Sequence, residues 1–277
     1  MSKRRTLDIV LYGIRQLRDP YYQGFAAQLA FYFLLSVVPL LILLSQILGV
    51  FSISLGVLEE MIVKYVASDV VESLLQAVKY APSGAINVVF VVLVLWAASR
   101  AQFSMMRLAN YTISGGRTTG HGFFKDRIRA VFMTVFTLFT MSFALVILVY
   151  GEVILNVVVS VLAQQDMSYH VDKFWFILRW PITLALYFFM VSSNYYILPS
   201  TRVPFKKILP GSIFASAGML LITWGFNLYA SNVARYDILY GSLASIVAVM
   251  VWFYLIAWVI GLGIVLNKAW METKNPE

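Results

Sequence analysis

The side chains best suited to hold a ligand in this chain are arginines. Arg100 and Arg107 stand seven residues apart, which places them on one helical face, two turns from each other. A guanidinium presents a planar fork of donors that matches phosphate oxygens. The pair is therefore a candidate anion site, with Lys206 and Lys207 expected nearby on the same side. The plainer role for such cations is to mark the cytoplasmic ends of membrane helices. Glu152 and Arg179 are ionisable residues set within long apolar stretches, where charge is costly. They form a candidate intramembrane ion pair, read either as helix packing or as a headgroup or proton site. Gln28 and Asn227 are candidates to shelter a headgroup. Their ordinary role, shared with Asn110, Asn156, Asn194 and Asn267, is hydrogen bonding between helices.

Signatures of enzymatic chemistry are missing. The chain has no phosphate-cradling Gly-rich loop, no HExxH and no Gly-x-Ser-x-Gly. It has no cysteine and two histidines, His121 and His170, both placed in loops on opposite sides of a membrane. No catalytic residue, metal site or cofactor is expected, and the protein is read as not an enzyme.

The elements that must carry these residues are membrane helices. Hydrophobic residues make up 61% of the chain and charged residues 12%, against roughly 45–50% and about 25% in soluble domains. A water-soluble fold of 277 residues cannot hide that much apolar surface. Six runs approach the ~20 residues a spanning helix needs: Phe25 to Val50, Ala85 to Ser104, Ala130 to Gly151, Phe174 to Leu198, Gly211 to Ala230, and Ser242 to Asn267. The expected fold is all-α, a polytopic bundle of six transmembrane helices with two interfacial amphipathic helices. No cleavable leader is expected, because no short apolar stretch with a cleavage site follows the basic start.

Charge orients the bundle. Most of the 21 basic residues fall in segment 1–24, segment 100–129, segment 202–207 and the tail. A six-helix arrangement puts all four groups on one side, which the positive-inside rule assigns to the cytoplasm. The +8 net charge is then an orientation signal, and no nucleic-acid partner is expected. Within 1–24, Leu7, Val10, Leu11, Ile14 and Leu17 share one helical face, opposite polar residues, as in a helix lying in the headgroup layer. A second amphipathic helix, at about 55–80 and net acidic, is expected outside. The organisation is thus 1–24, a cytoplasmic amphipathic segment, 25–267, the membrane domain, and 268–277, a cytoplasmic tail. Pro39 and Pro181 are placed to kink or break their helices, while Pro199, Pro204 and Pro210 frame a cytoplasmic loop. Gly211, Gly218 and Gly225 recur every seven residues, a pattern that permits close helix approach.

The ordered motifs resemble the YihY/BrkB family of bacterial inner-membrane proteins. They include Ala26-Ala27, Leu34-Leu35-Ser36 and Pro39-Leu40-Leu41, then Ser99-Arg100 and Asn110-Tyr111, then Leu198-Pro199 and Leu209-Pro210-Gly211. Phe226-Asn227-Leu228-Tyr229, Tyr240-Gly241-Ser242, Trp252-Phe253-Tyr254, Gly263 and Asn267 complete the set. The resemblance spans about Gly24 to Asn267 and implies a six-helix envelope protein, virulence-associated in one relative, for which transport roles have been proposed. The family's older label, ribonuclease BN, is not supported by any nuclease chemistry in the chain. Relatives often end the last span with Gly-Ala-Glu-x-Asn. Here Gly263-Ile264-Val265-Leu266-Asn267 puts valine at the acid position. That departure weakens an ion-exchange reading.

The leading expectation is a transporter or flippase-like protein for an anionic lipid or amphipathic solute, with anionic membrane lipids as partners. The alternatives are a scaffold that organises envelope partners or its own copies and moves nothing, and a cation/proton exchanger using Glu152.

Overall fold

A computed structural model describes residues 3–50, 85–162, 168–233 and 242–273. Among these residues the chain is helical with short connections. α1 (Lys3–Leu17) and the single turn α2 (Pro20–Gln23) precede six long helices. These are α3 (Phe25–Val50), α4 (Ala85–Ser114), α5 (Phe123–Leu162), α6 (Ser168–Ile197), α7 (Phe205–Val233) and α8 (Ser242–Glu272).

The six long helices form a closed ring in chain order. Each packs on the next, and α8 closes the ring against α3, while also touching α4. α1 lies along α8. The bundle is apolar outside, and its largely apolar interior also holds small polar groups. Val88, Phe132, Phe139, Ile177, Leu221 and Val251 are exposed, while Ser36, Ser99, Thr112, Thr134, Ser212 and Ser216 are buried. Water would penalise that exterior; lipid accepts it, and buried hydroxyls find backbone carbonyls, as Ser212 does at Ile208 O (2.9 Å) and Ser216 at Ser212 O (2.7 Å).

Among the described residues, five helices are long and apolar enough to cross a membrane by length and composition: α3, α4, α5, α7 and α8. The remaining expected run, from Phe174, falls on α6, whose side chains are described only in part. Several expectations need correction. Helices run further than their apolar cores. α4 continues ten residues past Ser104, so the connection to α5 shrinks to 115–122. Pro39 and Pro181 lie inside continuous helices and end neither. Pro210 does not frame a loop: it sits within the second turn of α7. His170 is in the first turn of α6, not in a loop. The second amphipathic helix expected at about 55–80, and the Tyr240-Gly241 motif, lie outside the described residues.

One end of the ring collects the basic groups and is tied by hydrogen bonds. Asn110, near the end of α4, donates to Thr119 O (3.0 Å) and Ser200 Oγ (3.1 Å), and its Oδ1 accepts from Ser200 N (2.7 Å). One amide thereby joins the α4–α5 and α6–α7 connections. Arg129 donates to Pro199 O (3.1 Å), and Lys268 to Ile113 O (3.0 Å) while pairing with Glu272 (2.6 Å). Arg5 of α1 lies over the Trp270 ring at 4.2 Å.

Candidate functional site

At this basic end, a cleft of about 300 Å³ opens between α2, α3, α4 and the start of α5. Its polar groups are Gln28, Arg100, Ser104, Arg107 and Arg127; its aromatic walls are Tyr21, Tyr32, Trp96, Phe103 and Phe123. α4 supplies a stripe. Trp96, Arg100, Phe103 and Arg107 recur at spacings of four, three and four, which is one face of a helix. Arg100 and Arg107 are exposed along it.

Arg127 is built differently. It is 5% exposed, one turn into α5. Its guanidinium lies 4.2 Å from the Trp96 ring centroid and 5.5 Å from that of Phe103, and it donates to the Trp96 carbonyl. Those contacts fix its position. They do not satisfy it, because its Nε has no hydrogen-bond partner. The start of α5 is itself held by Asp126, whose Oδ2 accepts from His121 N (3.0 Å) and Gly122 N (3.4 Å). Gly120 packs against that carboxylate so closely that a Cβ there would collide with it.

The opposite wall is set by the elbow between α1 and α3. Asp19 caps α2 by accepting from Tyr21 N (2.9 Å), and its other oxygen accepts from Tyr111 Oη (2.7 Å). Those two bonds, the one from Tyr111 first, hold the Asp19 carboxyl below the usual aspartate value. Tyr21 stacks on Tyr111 at 4.0 Å, and Tyr22 shares a hydrogen bond with Thr112 (2.7 Å). The cleft wall is therefore anchored to the last turns of α4.

Of the residues expected to bind, the structure brings Arg100, Arg107 and Gln28 together. Gln28 donates to Tyr32 (3.4 Å) on the aromatic side. Arg179 and Asn227 are not part of this cleft. Arg179 is 18 residues back from the end of α6 at Ile197, about 27 Å along its axis, and its guanidinium lies 5.6 Å from the Trp180 ring. Asn227 is 22 residues beyond Phe205, about 33 Å along α7. Lys206 and Lys207 are exposed on the first turn of α7 and do not line the cleft. Glu152 falls on α5, but its side chain lies outside the described residues, and with it the expected pair to Arg179.

Sequence pattern alone does not single out Arg127 or the aromatic walls. The signal for the walls was present, since Trp96 and Phe103 interleave with the two arginines at helical spacing. Arg127 was hidden within Lys125, Arg127 and Arg129. Alternate residues on a helix point about 200° apart, so these three cations cannot all face the same way.

A second arrangement lies where α7 crosses α8. Gly211 N donates to Asn267 Oδ1 (2.7 Å), and a Cβ on Gly211 would collide with the Gly263 carbonyl and the Asn267 amide. Tyr195 of α6 donates to Ile260 O (2.6 Å), against Gly263. Pro210-Gly211 and Gly263 to Asn267, distant in sequence, are thus one contact.

The model of the family described as virulence factor BrkB matches residues 14–277, nearly the whole chain. The chain belongs to the BrkB family. Among its relatives, a putative ribonuclease-like protein, YfkH of Bacillus subtilis, is 29% identical over 91% of each chain. A UPF0761 membrane protein of Pseudoalteromonas translucida is 41% identical over 24% of this chain and 22% of its own. A UPF0761 membrane protein of Xanthomonas oryzae is 32% identical over 27% of this chain and 18% of its own. No solved structure matches. With five helices apolar enough to cross a bilayer among the described residues alone, this BrkB-family chain is a multi-pass membrane protein. Val265 is buried, and a Cβ on Gly13 of α1 would sit 3.8 Å from its Cγ1. A carboxylate buried there would require a partner.

Proposed function

We propose that this BrkB-family protein binds and translocates an anionic lipid or amphipathic solute of the bacterial envelope, using the arginine–aromatic cleft as its entry site. The observation that carries the reading is the convergence of Arg100, Arg107 and Arg127 with five aromatic side chains in one cleft at the basic end of the bundle. Cations that hold an anion, set beside rings that accept hydrocarbon, suit an amphiphile whose charged part and apolar part enter together. In this reading α6 also crosses the bilayer. The protein then spans the inner membrane six times, with both termini and the cleft on the cytoplasmic side as the positive-inside rule requires. The cleft's charged groups are arginines, whose guanidinium forks suit the binding of anions. The protein is accordingly proposed to be a non-enzymatic carrier, and the ribonuclease-like name of its Bacillus relative is not extended to it.

The test is translocation in proteoliposomes. Purified protein is reconstituted with a headgroup-labelled anionic lipid, and an impermeant quencher is added outside. Quenching beyond the half that empty liposomes lose is expected. A plateau at one half for several anionic headgroups would overturn transport and favour a scaffold.

A further inference from the structure

We propose that the cleft is a phosphate site anchored by Arg127, and that its ligand is a dianionic phosphomonoester, the group carried by a phosphatidic-acid headgroup and shared by free phosphate. The inference deepens the lipid reading above and rests on it only for the source of the phosphate.

Arg127 is the residue in the cleft whose surroundings are incomplete. A buried cation is costly unless it is paired. Arg127 is 5% exposed, no carboxylate pairs with it among the described residues, and its Nε is without a partner. Acids that might neutralise it are committed or distant. Asp126 caps its own helix start. Asp19 is held by Tyr111 and Tyr21. Glu152 is 25 residues further along α5, about 38 Å by helix rise. No described residue supplies the counter-charge, and a bound anion would. Trp96, through its ring and its carbonyl, and Phe103 immobilise the guanidinium beforehand, so little side-chain entropy is lost when an anion binds.

Charge selects the class of anion. Among the described residues, three guanidinium groups line the cleft and no carboxylate does. A phosphomonoester carries close to two negative charges at neutral pH and can use forks from more than one arginine. A phosphodiester carries one charge, and a choline or ethanolamine headgroup would add a cation that the arginines repel. The walls point to a lipid as the source. Phe123 lines the cleft and is itself exposed, and Phe124 and Ile128 beside it on α5 are more exposed still, 77% and 70%. This apolar flank continues from the cleft to the outside of the bundle, where an acyl chain would lie.

The experiment is calorimetric titration of the full-length protein in phosphatidylcholine nanodiscs. The probes are short-chain phosphatidic acid, short-chain phosphatidylglycerol and inorganic phosphate. Phosphatidic acid is expected to bind about tenfold or more tightly than phosphatidylglycerol. Arg127→Gln should remove about tenfold or more of that affinity, and Arg127→Lys, which keeps the charge but not the fork, should fall between. Should Arg127→Gln fail to fold, the exposed pair Arg100→Gln/Arg107→Gln provides the second variant and should erase the preference for phosphatidic acid. Equal affinity for phosphatidic acid and phosphatidylglycerol overturns the proposal. So does phosphatidic-acid binding that neither Arg127→Lys nor the double variant alters. Inorganic phosphate binding as tightly as phosphatidic acid supports the phosphate site and removes the lipid as its source. Tight phosphatidic-acid binding without translocation in proteoliposomes sustains the site and sinks the transport reading. Equal movement of phosphatidylglycerol does the reverse.

Discussion

Two polar regions of this bundle are built to opposite ends. Where α7 crosses α8, the buried groups close on one another. The Gly211 N–H meets the Asn267 amide, the Tyr195 hydroxyl meets the Ile260 carbonyl, and glycine leaves no space between the backbones. In the cleft beside α4, the groups stay open. Arg127 is held by an aromatic ring instead of an acid, and Arg100 and Arg107 face outward. In a membrane interior, an unsatisfied polar group is expensive. The closed crossing is what that cost selects for stability. The open cleft tolerates it: among the described residues no acid pairs with Arg127, which is the observation behind the proposed phosphate site.

That contrast can be broken first at the crossing. Gly211→Val drives a branched side chain into the Gly263 carbonyl and the Asn267 amide, neither of which can withdraw. The expected loss is about 1–3 kcal/mol or more from overpacking, together with loss of the Asn267 bond. It would be read as a lowered melting temperature and a smaller monodisperse fraction in detergent. A variant as stable as the parent would mean the helices separate at no cost. Phosphate affinity in whatever folds should be unchanged, since the cleft lies on other helices.

The contrast is sharpened by the ring under Arg127. Trp96→Leu keeps an apolar side chain but removes the cation–π face at 4.2 Å. Phosphatidic-acid affinity should weaken about threefold to thirtyfold, with little change in melting temperature. Unchanged affinity would show that the ring does not position the guanidinium.

The smallest effect concerns the elbow. The Asp19 carboxyl is held below the ordinary value of 3.8 by the Tyr111 hydroxyl and the Tyr21 N–H. A depressed carboxyl adds stability above its unfolded value and loses it as pH falls through the lowered folded value. Protection of the 3–24 amides, relative to their intrinsic exchange rates, should therefore be full at neutral pH and fall in acid below pH 3.8. Asp19→Asn should flatten that dependence. An acid response that persists in the variant would assign it elsewhere.

Arg100, Arg107 and Gln28 were legible as ligand candidates because each is a polar group of fitting chemistry beside an apolar run. Arg179 and Asn227 met the same criterion and proved distant, since membership of a span says nothing about which end of it a residue occupies. Counting from helix ends would have separated them, had the ends been visible. They were not, because α4, α5 and α7 extend past their apolar cores through residues whose helicity comes from packing at the basic end.

Composition and the spacing of apolar runs determined the all-helical membrane fold, because lipid leaves a backbone few ways to satisfy its own hydrogen bonds. They also placed the cations at alternate connections and interleaved Trp96 and Phe103 with the two arginines of α4. Tertiary structure alone decided that Arg127 turns inward without an acid, that Asn110 joins two connections, and that Gly211 and Asn267 are one contact. Those facts depend on which helix packs beside which. In a bundle whose exterior and interior are both apolar, hydrophobic pattern carries little of that information.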